Sequence, residues 1–329
     1  MNAPMHELMI QCHGLQRTFK TRSGPVHAVR GVDFSVKAGE IVGFLGPNGA
    51  GKTTVLRMLT TLLTPTAGSA TVAGFDLAVD PAGVRRRIGY VAQGGGTDPA
   101  CTVAEELVTQ ARLYRIDAAE ARRRADELTE QLELTGLGDR TVKTLSGGQR
   151  RRLDVALGLV HRPPLVFLDE PTTGLDPHSR SHLWDHIRTL RDKFGITVFL
   201  TTHYLDEADS LCDRVLIIDH GNIVAEGTPD ELKRRISGDV VTIEFKGTPD
   251  AAKAALADHP SVRKLDLADH VLRLTVEHGD QLLLSLMRAL DAAHVELLSI
   301  QLSRPTLDDV FLTLTGHSLR EESPAAQGE

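Results

Sequence analysis

The segment Gly46-Pro47-Asn48-Gly49-Ala50-Gly51-Lys52-Thr53-Thr54 constrains this 329-residue chain more than any other. It follows an apolar run, Ile41–Leu45, suited to a buried strand, and it opens Lys52–Leu62, which reads as a helix. Strand, glycine turn and helix in that order make the pattern G-x-x-x-x-G-K-[ST] a P-loop. The backbone N–H groups of such a loop wrap a polyphosphate, with a helix N-terminus behind them. Lys52 then offers a cation to the β- and γ-phosphates, and Thr53 a hydroxyl for Mg²⁺.

Bulk properties narrow the remaining classes. A net charge of −7 and a pI near 6.1 leave no basic footprint for nucleic acid. The clusters Arg85–Arg87, Arg122–Arg124 and Arg150–Arg152 read as solvated helix faces. No run approaches the roughly 18–20 apolar residues of a membrane-spanning helix, and the N-terminus lacks a secretory segment. Cys12, Cys101 and Cys212 are far apart, without metal-ligand spacing, and fit a reducing cytosol better than a disulfide framework. The expectation is an intracellular protein of two domains, 1–237 and 238–316, followed by a disordered tail over 317–329.

The first domain opens with expected strands around Leu8–Gly14 and Gly31–Val36. Thr102–Gly136 reads as two helices, each with a capping-box spacing, Thr102 with Glu105 and Asp117 with Glu120. Leu165–Asp169, Ile196–Thr201 and Arg214–Asp219 are apolar runs alternating with helices, as in a parallel sheet covered on both faces. The second domain alternates apolar and polar residues over Val241–Lys246. A helix near Asp250–Asp258, strands near Val262–Leu267 and Val271–Val276, a helix with Leu282, Leu283, Leu286 and Leu290 on one face, and a strand around Val295–Leu302 follow. That order, β-α-β-β-α-β, is ferredoxin-like. Pro305–Thr315 adds a last helix whose Leu307, Val310 and Phe311 form an apolar stripe, facing either its own core or a partner.

Downstream of the P-loop stand Leu145-Ser146-Gly147-Gly148-Gln149 and then Leu165-Val166-Phe167-Leu168-Asp169-Glu170. With these, roughly residues 8–230 resemble the ATP-binding cassette family: a P-loop NTPase cassette with a helical subdomain, here at about 97–160. Asp169 ends an apolar strand, where its carboxylate can enter a Mg²⁺ shell. The resemblance makes Glu170 the general base that activates water, Gln93 the glutamine touching Mg²⁺ and the attacking water, and His203 the γ-phosphate sensor. It makes Phe19 the aromatic on which adenine stacks. The triple glycine after Gln93, Gly94-Gly95-Gly96, predicts a mobile connection. In the family, Ser146, Gly147, Gly148 and Gln149 complete the ATP site of a second protomer, and Asp176 lies across the same interface. Two full sites then imply a head-to-tail homodimer binding ATP and Mg²⁺, docked from the cytoplasmic side on a separate integral membrane permease.

The terminal Leu307-Asp308-Asp309-Val310-Phe311-Leu312 is similar to a motif of the daunorubicin-resistance type of drug-export ATPase. The resemblance thus implies the nucleotide-binding subunit of an exporter for drug, antibiotic or lipid-like substrates. Two other readings stand beside it. One is an importer ATPase whose ferredoxin-like domain binds a small molecule; the other is a cassette ATPase outside transport.

Overall fold

The computed structural model describes residues 8–236, 239–257, 259, 261–268, 270–276, 279–303 and 305–316. Contacts divide the chain into two compact units at Thr228/Pro229. The boundary expected at 237/238 and the tail expected over 317–329 both lie outside the described residues.

In the first unit, β1 (Leu8–Thr21) and β2 (Gly24–Lys37) form one long antiparallel hairpin with several bulges. They replace the two short strands read from the sequence. The tip of the hairpin, 16–21 with 24–28, is exposed or half-buried on both faces, so it carries no apolar alternation to announce it. β3 (Ile41–Leu45) is buried throughout and leads through the P-loop into α1 (Lys52–Leu59). β4 (Ala67–Val72) and the short β5 (Phe75–Asp76) extend the hairpin into a four-stranded sheet, β2-β1-β4-β5.

α2 (Pro81–Arg87) feeds β6 (Ile88–Val91), and the chain then leaves the sheet for α3 (Val103–Leu113), α4 (Ala118–Gln131) and α5 (Gly147–Leu159). These three helices pack on one another. α3 starts with the full Thr102–Glu105 capping box. Asp117 caps α4, but the Glu120 carboxylate turns to Arg123 and Arg124 instead of closing the box. β7 (Leu165–Asp169), α6 (Pro177–Phe194), β8 (Thr197–Thr202), α7 (Leu205–Leu211), β9 (Arg214–Asp219) and β10 (Asn222–Gly227) complete the unit. The second sheet runs β10-β9-β3-β8-β7-β6, parallel except for β10 at one edge. Its five parallel strands are nearly wholly buried, as expected for strands covered on both faces.

One core holds the two sheets together. It gathers Ile10 and Leu15 of β1, Leu56 and Met58 of α1, and the ring cluster Phe34, Phe44, Phe167 and Phe199. Phe199 stands 5.7–5.8 Å from the centroids of the other three rings, within the favourable range for aromatic pairs.

The second unit begins with α8 (Pro229–Ile236). β11 (Asp239–Lys246), α9 (Pro249–Ala257), β12 (Val262–Ala268), β13 (Val271–Val276), α10 (Gly279–Ala292) and β14 (Glu296–Ser303) follow. The sheet order is β12-β13-β11-β14, antiparallel throughout, as the ferredoxin-like reading requires. Its core joins Val241, Ile243 and Phe245 to Leu256 of α9 and Leu286 and Leu290 of α10. α11 (Leu307–Thr315) starts with a Thr306–Asp309 capping box and packs on α8. Leu307, Val310 and Phe311 are buried, so the stripe left open in the sequence faces its own unit.

Phe199→Ala removes the ring at the centre of the inter-sheet cluster and leaves a cavity. We expect a loss of about 3–5 kcal/mol in the unfolding transition of the first unit, measured by denaturant titration. A loss below about 1 kcal/mol would mean that the cluster is not what joins the sheets.

Candidate nucleotide and hydrolysis site

Parallel strands that end side by side bring the expected residues together. β3 ends at the P-loop, where Gly46 N–H donates to the Thr202 carbonyl at 3.3 Å and Ala50 N–H to the Pro47 carbonyl at 3.2 Å. Asn48 and Gly49 form the exposed tip of the loop. Gly51 sits at φ +108°, and a Cβ there would come within 2.5 Å of the Ala28 carbonyl, so no other residue fits. Lys52 and half-buried Thr53 and Thr54 then form the first turn of α1. The Lys52 ammonium is folded back over the loop, donating to the carbonyls of Gly46 at 2.6 Å and Pro47 at 3.0 Å.

Asp169, at the end of β7, is 2% exposed. Its Oδ1 accepts from Thr53 Oγ1 at 3.2 Å and from Thr201 Oγ1 at 2.6 Å. A hydroxyl and a carboxylate at this spacing form an all-oxygen donor set, the kind a hard cation such as Mg²⁺ takes.

Glu170 has φ +45°, a left-handed conformation that costs a non-glycine residue about 1–3 kcal/mol. Its N–H donates to both the carbonyl and the hydroxyl of Thr201 at 3.1 Å. The carboxylate is buried and gathers neighbours from several segments. Oε2 accepts from Gln93 Nε2 at 2.8 Å and from Thr173 Oγ1 at 3.1 Å. Oε1 lies 3.6 Å from Lys52 Nζ and 3.2 Å from His203 Nδ1. The His203 ring nitrogen is thus within ion-pair reach of the carboxylate. Burial alone would push the Glu170 carboxyl up; His203, Lys52 and Thr173 together outweigh it and hold the group below its ordinary value. The residue is therefore ionised at neutral pH, as a general base must be.

In the loop after β6, Gly95 N–H donates to the Ala92 carbonyl at 3.2 Å. A Cβ on Gly95, itself at φ +74°, would come within 3.0–3.1 Å of both Asp154 oxygens. Gln93, expected on the evidence of motif order, is in hydrogen-bond contact with Glu170 as described.

The remaining expected residues lie in a second group. Ser146 caps α5 with a full box: its Oγ accepts from Gln149 N–H, and Gln149 Oε1 accepts from Ser146 N–H. Gly147 is exposed, and Gly148 lies against Ser179, where a Cβ would meet the hydroxyl at 2.9 Å. Asp176 is the N-cap of α6, accepting from Ser179 N–H and Oγ, which lowers its pKa. Phe19 stands half-buried on β1 opposite Val26, with the Arg17 guanidinium 4.7 Å from its ring centroid.

Sequence reasoning missed three participants. Thr201 and Thr173 carry a faint signal, as hydroxyls just at or beyond the ends of apolar strands. Arg151 was read as part of a solvated face. It is instead 7% exposed, with its guanidinium on main-chain carbonyls beside the site. The signal was its place three and four residues before the buried Asp154 and Val155, on one face of α5.

Comparison with known proteins agrees with this geometry. The ABC transporter family model matches residues 29–173. A model described as ATP-binding protein DrrA1-3-like, C-terminal domain, matches residues 227–315. The chain is 45% identical over 316 residues to the doxorubicin resistance ATP-binding protein DrrA of Mycobacterium tuberculosis, covering 94% of each. It is 44% identical over 308 residues to the daunorubicin/doxorubicin resistance ATP-binding protein DrrA of Streptomyces peucetius, covering 92% of each. A solved dimeric ATP-binding cassette in a post-hydrolysis state, bound to ADP and Pi, superposes with a TM-score of 0.62 at 27% identity, over 67% of this chain and 98% of that one. With the P-loop, the Asp169–Glu170 pair and the signature helix all in place, this chain belongs to the ATP-binding cassette (ABC) transporter family and is an ATP-hydrolysing subunit of that family.

Proposed function

We propose that this chain is the motor of an exporter for drug, antibiotic or lipid-like substrates, working as a head-to-tail homodimer beneath a separate membrane permease. The observation that carries the hydrolytic part is the convergence of Lys52, Gln93, Thr173 and His203 on one buried, ionised carboxylate, Glu170. Export rests on similarity to drug-resistance ATP-binding proteins along nearly the whole chain, second unit included. That similarity also sets the importer reading aside. No helix among the described residues is long and apolar enough to cross a membrane; in this reading the separate permease forms the transport path. The place of action is then the cytoplasmic face of the membrane, and no nucleic acid is involved.

The residues divide the chemistry among them. The P-loop amides and Lys52 hold the phosphates once the ammonium leaves the Gly46 and Pro47 carbonyls. Thr53 and Asp169, with Gln93, would hold Mg²⁺, which when bound neutralises charge on the β- and γ-oxygens. Glu170 takes the proton of the attacking water, and His203 contacts the γ-phosphate. Phe19 stacks on adenine. Ser146, Gly147, Gly148 and Gln149 reach the nucleotide of the partner protomer through the positive end of α5, with Asp176 at the same interface.

Glu170→Gln keeps the volume of the side chain but not its basicity. ATP binding should persist while hydrolysis falls by about 10²–10⁴-fold, read as steady-state phosphate release. A variant as fast as the parent would take the base away from Glu170.

Mixing protomers tests the head-to-tail arrangement. Lys52→Ala and Ser146→Arg should each abolish ATPase activity alone. Mixed dimers place both lesions in one composite pocket and leave the other intact, so activity should return on mixing. Continued inactivity of a mixture shown to dimerise would count against sites shared between protomers.

A chain ending at Thr228 removes the second unit whole, α8 included. We expect it to bind ATP but to support no efflux in cells that contain the permease. Undiminished efflux would exclude the second unit from coupling.

A further inference from the structure

Arg151 is a buried cation that the proposed chemistry does not use. It lies on α5, just past Gln149, and is 7% exposed. Its Nη1 donates to the Ala92 carbonyl at 2.7 Å, immediately before Gln93. Its Nε donates to the Pro171 carbonyl at 2.7 Å, immediately after Glu170. Its Nη2 donates to the Asp169 carbonyl at 3.0 Å and lies 3.4 Å from that of Glu170. The guanidinium therefore spans the backbone on both sides of the carboxylate and reaches the residue before its glutamine partner.

Burying an arginine on neutral carbonyls is expensive unless a counter-charge is near. Asp154, one turn further along α5 and 7% exposed, supplies it at 3.9 Å. The same carboxylate lies against Gly95, where a Cβ would come within 3.0–3.1 Å of both its oxygens, so the pair meets the glutamine loop at Ala92 and at Gly95. The geometry of Glu170 needs such support. Its backbone is left-handed, and a strained residue persists only where its surroundings over-determine it. Thr201 holds its N–H from the strand side, and Arg151 holds the carbonyls that flank it.

We propose that Arg151 is a positioning residue for hydrolysis. Its planar fork sets Glu170 and Gln93 at one fixed separation, and Asp154 keeps the fork in register. The proposal rests on Glu170 being the base. Lysine cannot replace arginine here, because an ammonium is a point charge and cannot span carbonyls presented from separate segments.

The test uses the full chain carrying Arg151→Lys, alone and combined with Glu170→Gln, with steady-state and single-turnover ATP hydrolysis measured. Arg151→Lys should lower kcat on the order of 10–100-fold, the scale of a displaced catalytic group, while KM for ATP stays within about twofold. Added to Glu170→Gln it should cost little more, since the group it positions is already gone. A kcat within about twofold of the parent, a matching loss of ATP affinity, or full additivity with Glu170→Gln each overturns the proposal. Fast hydrolysis by Glu170→Gln alone would instead remove the base, and the proposal with it. Should Arg151→Lys fail to melt cooperatively, Asp154→Asn serves in its place, because it keeps the volume and loosens the fork. It should give a smaller fall in kcat with unchanged KM and the same lack of additivity, and an unchanged kcat would again overturn the proposal.

Discussion

The left-handed turn at Glu170 is the constraint on which the rest of the first unit depends. Consecutive residues of a strand point to opposite faces of the sheet. In the proposed site Asp169 and Glu170 act together, which requires the strand to break between them. The φ of +45° at Glu170 makes that break, immediately after the last residue of β7. The neighbours of β7 in the sheet then become the supports. β8 contributes Thr201 and leads to His203, and β6 leads to Gln93. Parallel order delivers all of these at the same, carboxyl end of the sheet, where open α/β folds place their ligands.

Much of this was legible because it is written locally. A P-loop between strand and helix, apolar runs five or six residues long, and capping residues at fixed spacing are all patterns of neighbouring positions. The β-α-β-β-α-β order of the second unit is of the same kind, and the sheet order matches it. What escaped was set by residues distant in the chain. Arg151 looks like its exposed neighbour Arg150 until the fold brings Ala92, Asp169 and Pro171 around it. The β1–β2 hairpin escaped because its tip has no buried face. The packing of the glycine loop escaped because the carboxylate beside Gly95, that of Asp154, comes from α5.

Capping also resolves differently from its sequence reading. Neither Asp169 nor Glu170 caps a helix; the capping acid of this region is Asp176, at the start of α6. In α5, the Ser146–Gln149 box uses the side chains of the signature and the amides of Ser146 and Gln149. Between them stand the amides of Gly147 and Gly148, at the positive end of the helix dipole, where an anion is stabilised. The proposed contribution of the signature to a partner's nucleotide is therefore mainly a backbone contribution. Gly148 is the position least open to change within it, since any side chain would meet Ser179 next to the Asp176 cap.

In the second unit, α8 lies on α11, and Leu307, Val310 and Phe311 of that helix are buried. An apolar stripe on a terminal helix is costly in water, roughly 1.5–3 kcal/mol for each large side chain left exposed. Packing on α8 covers part of that stripe, so the two helices support each other.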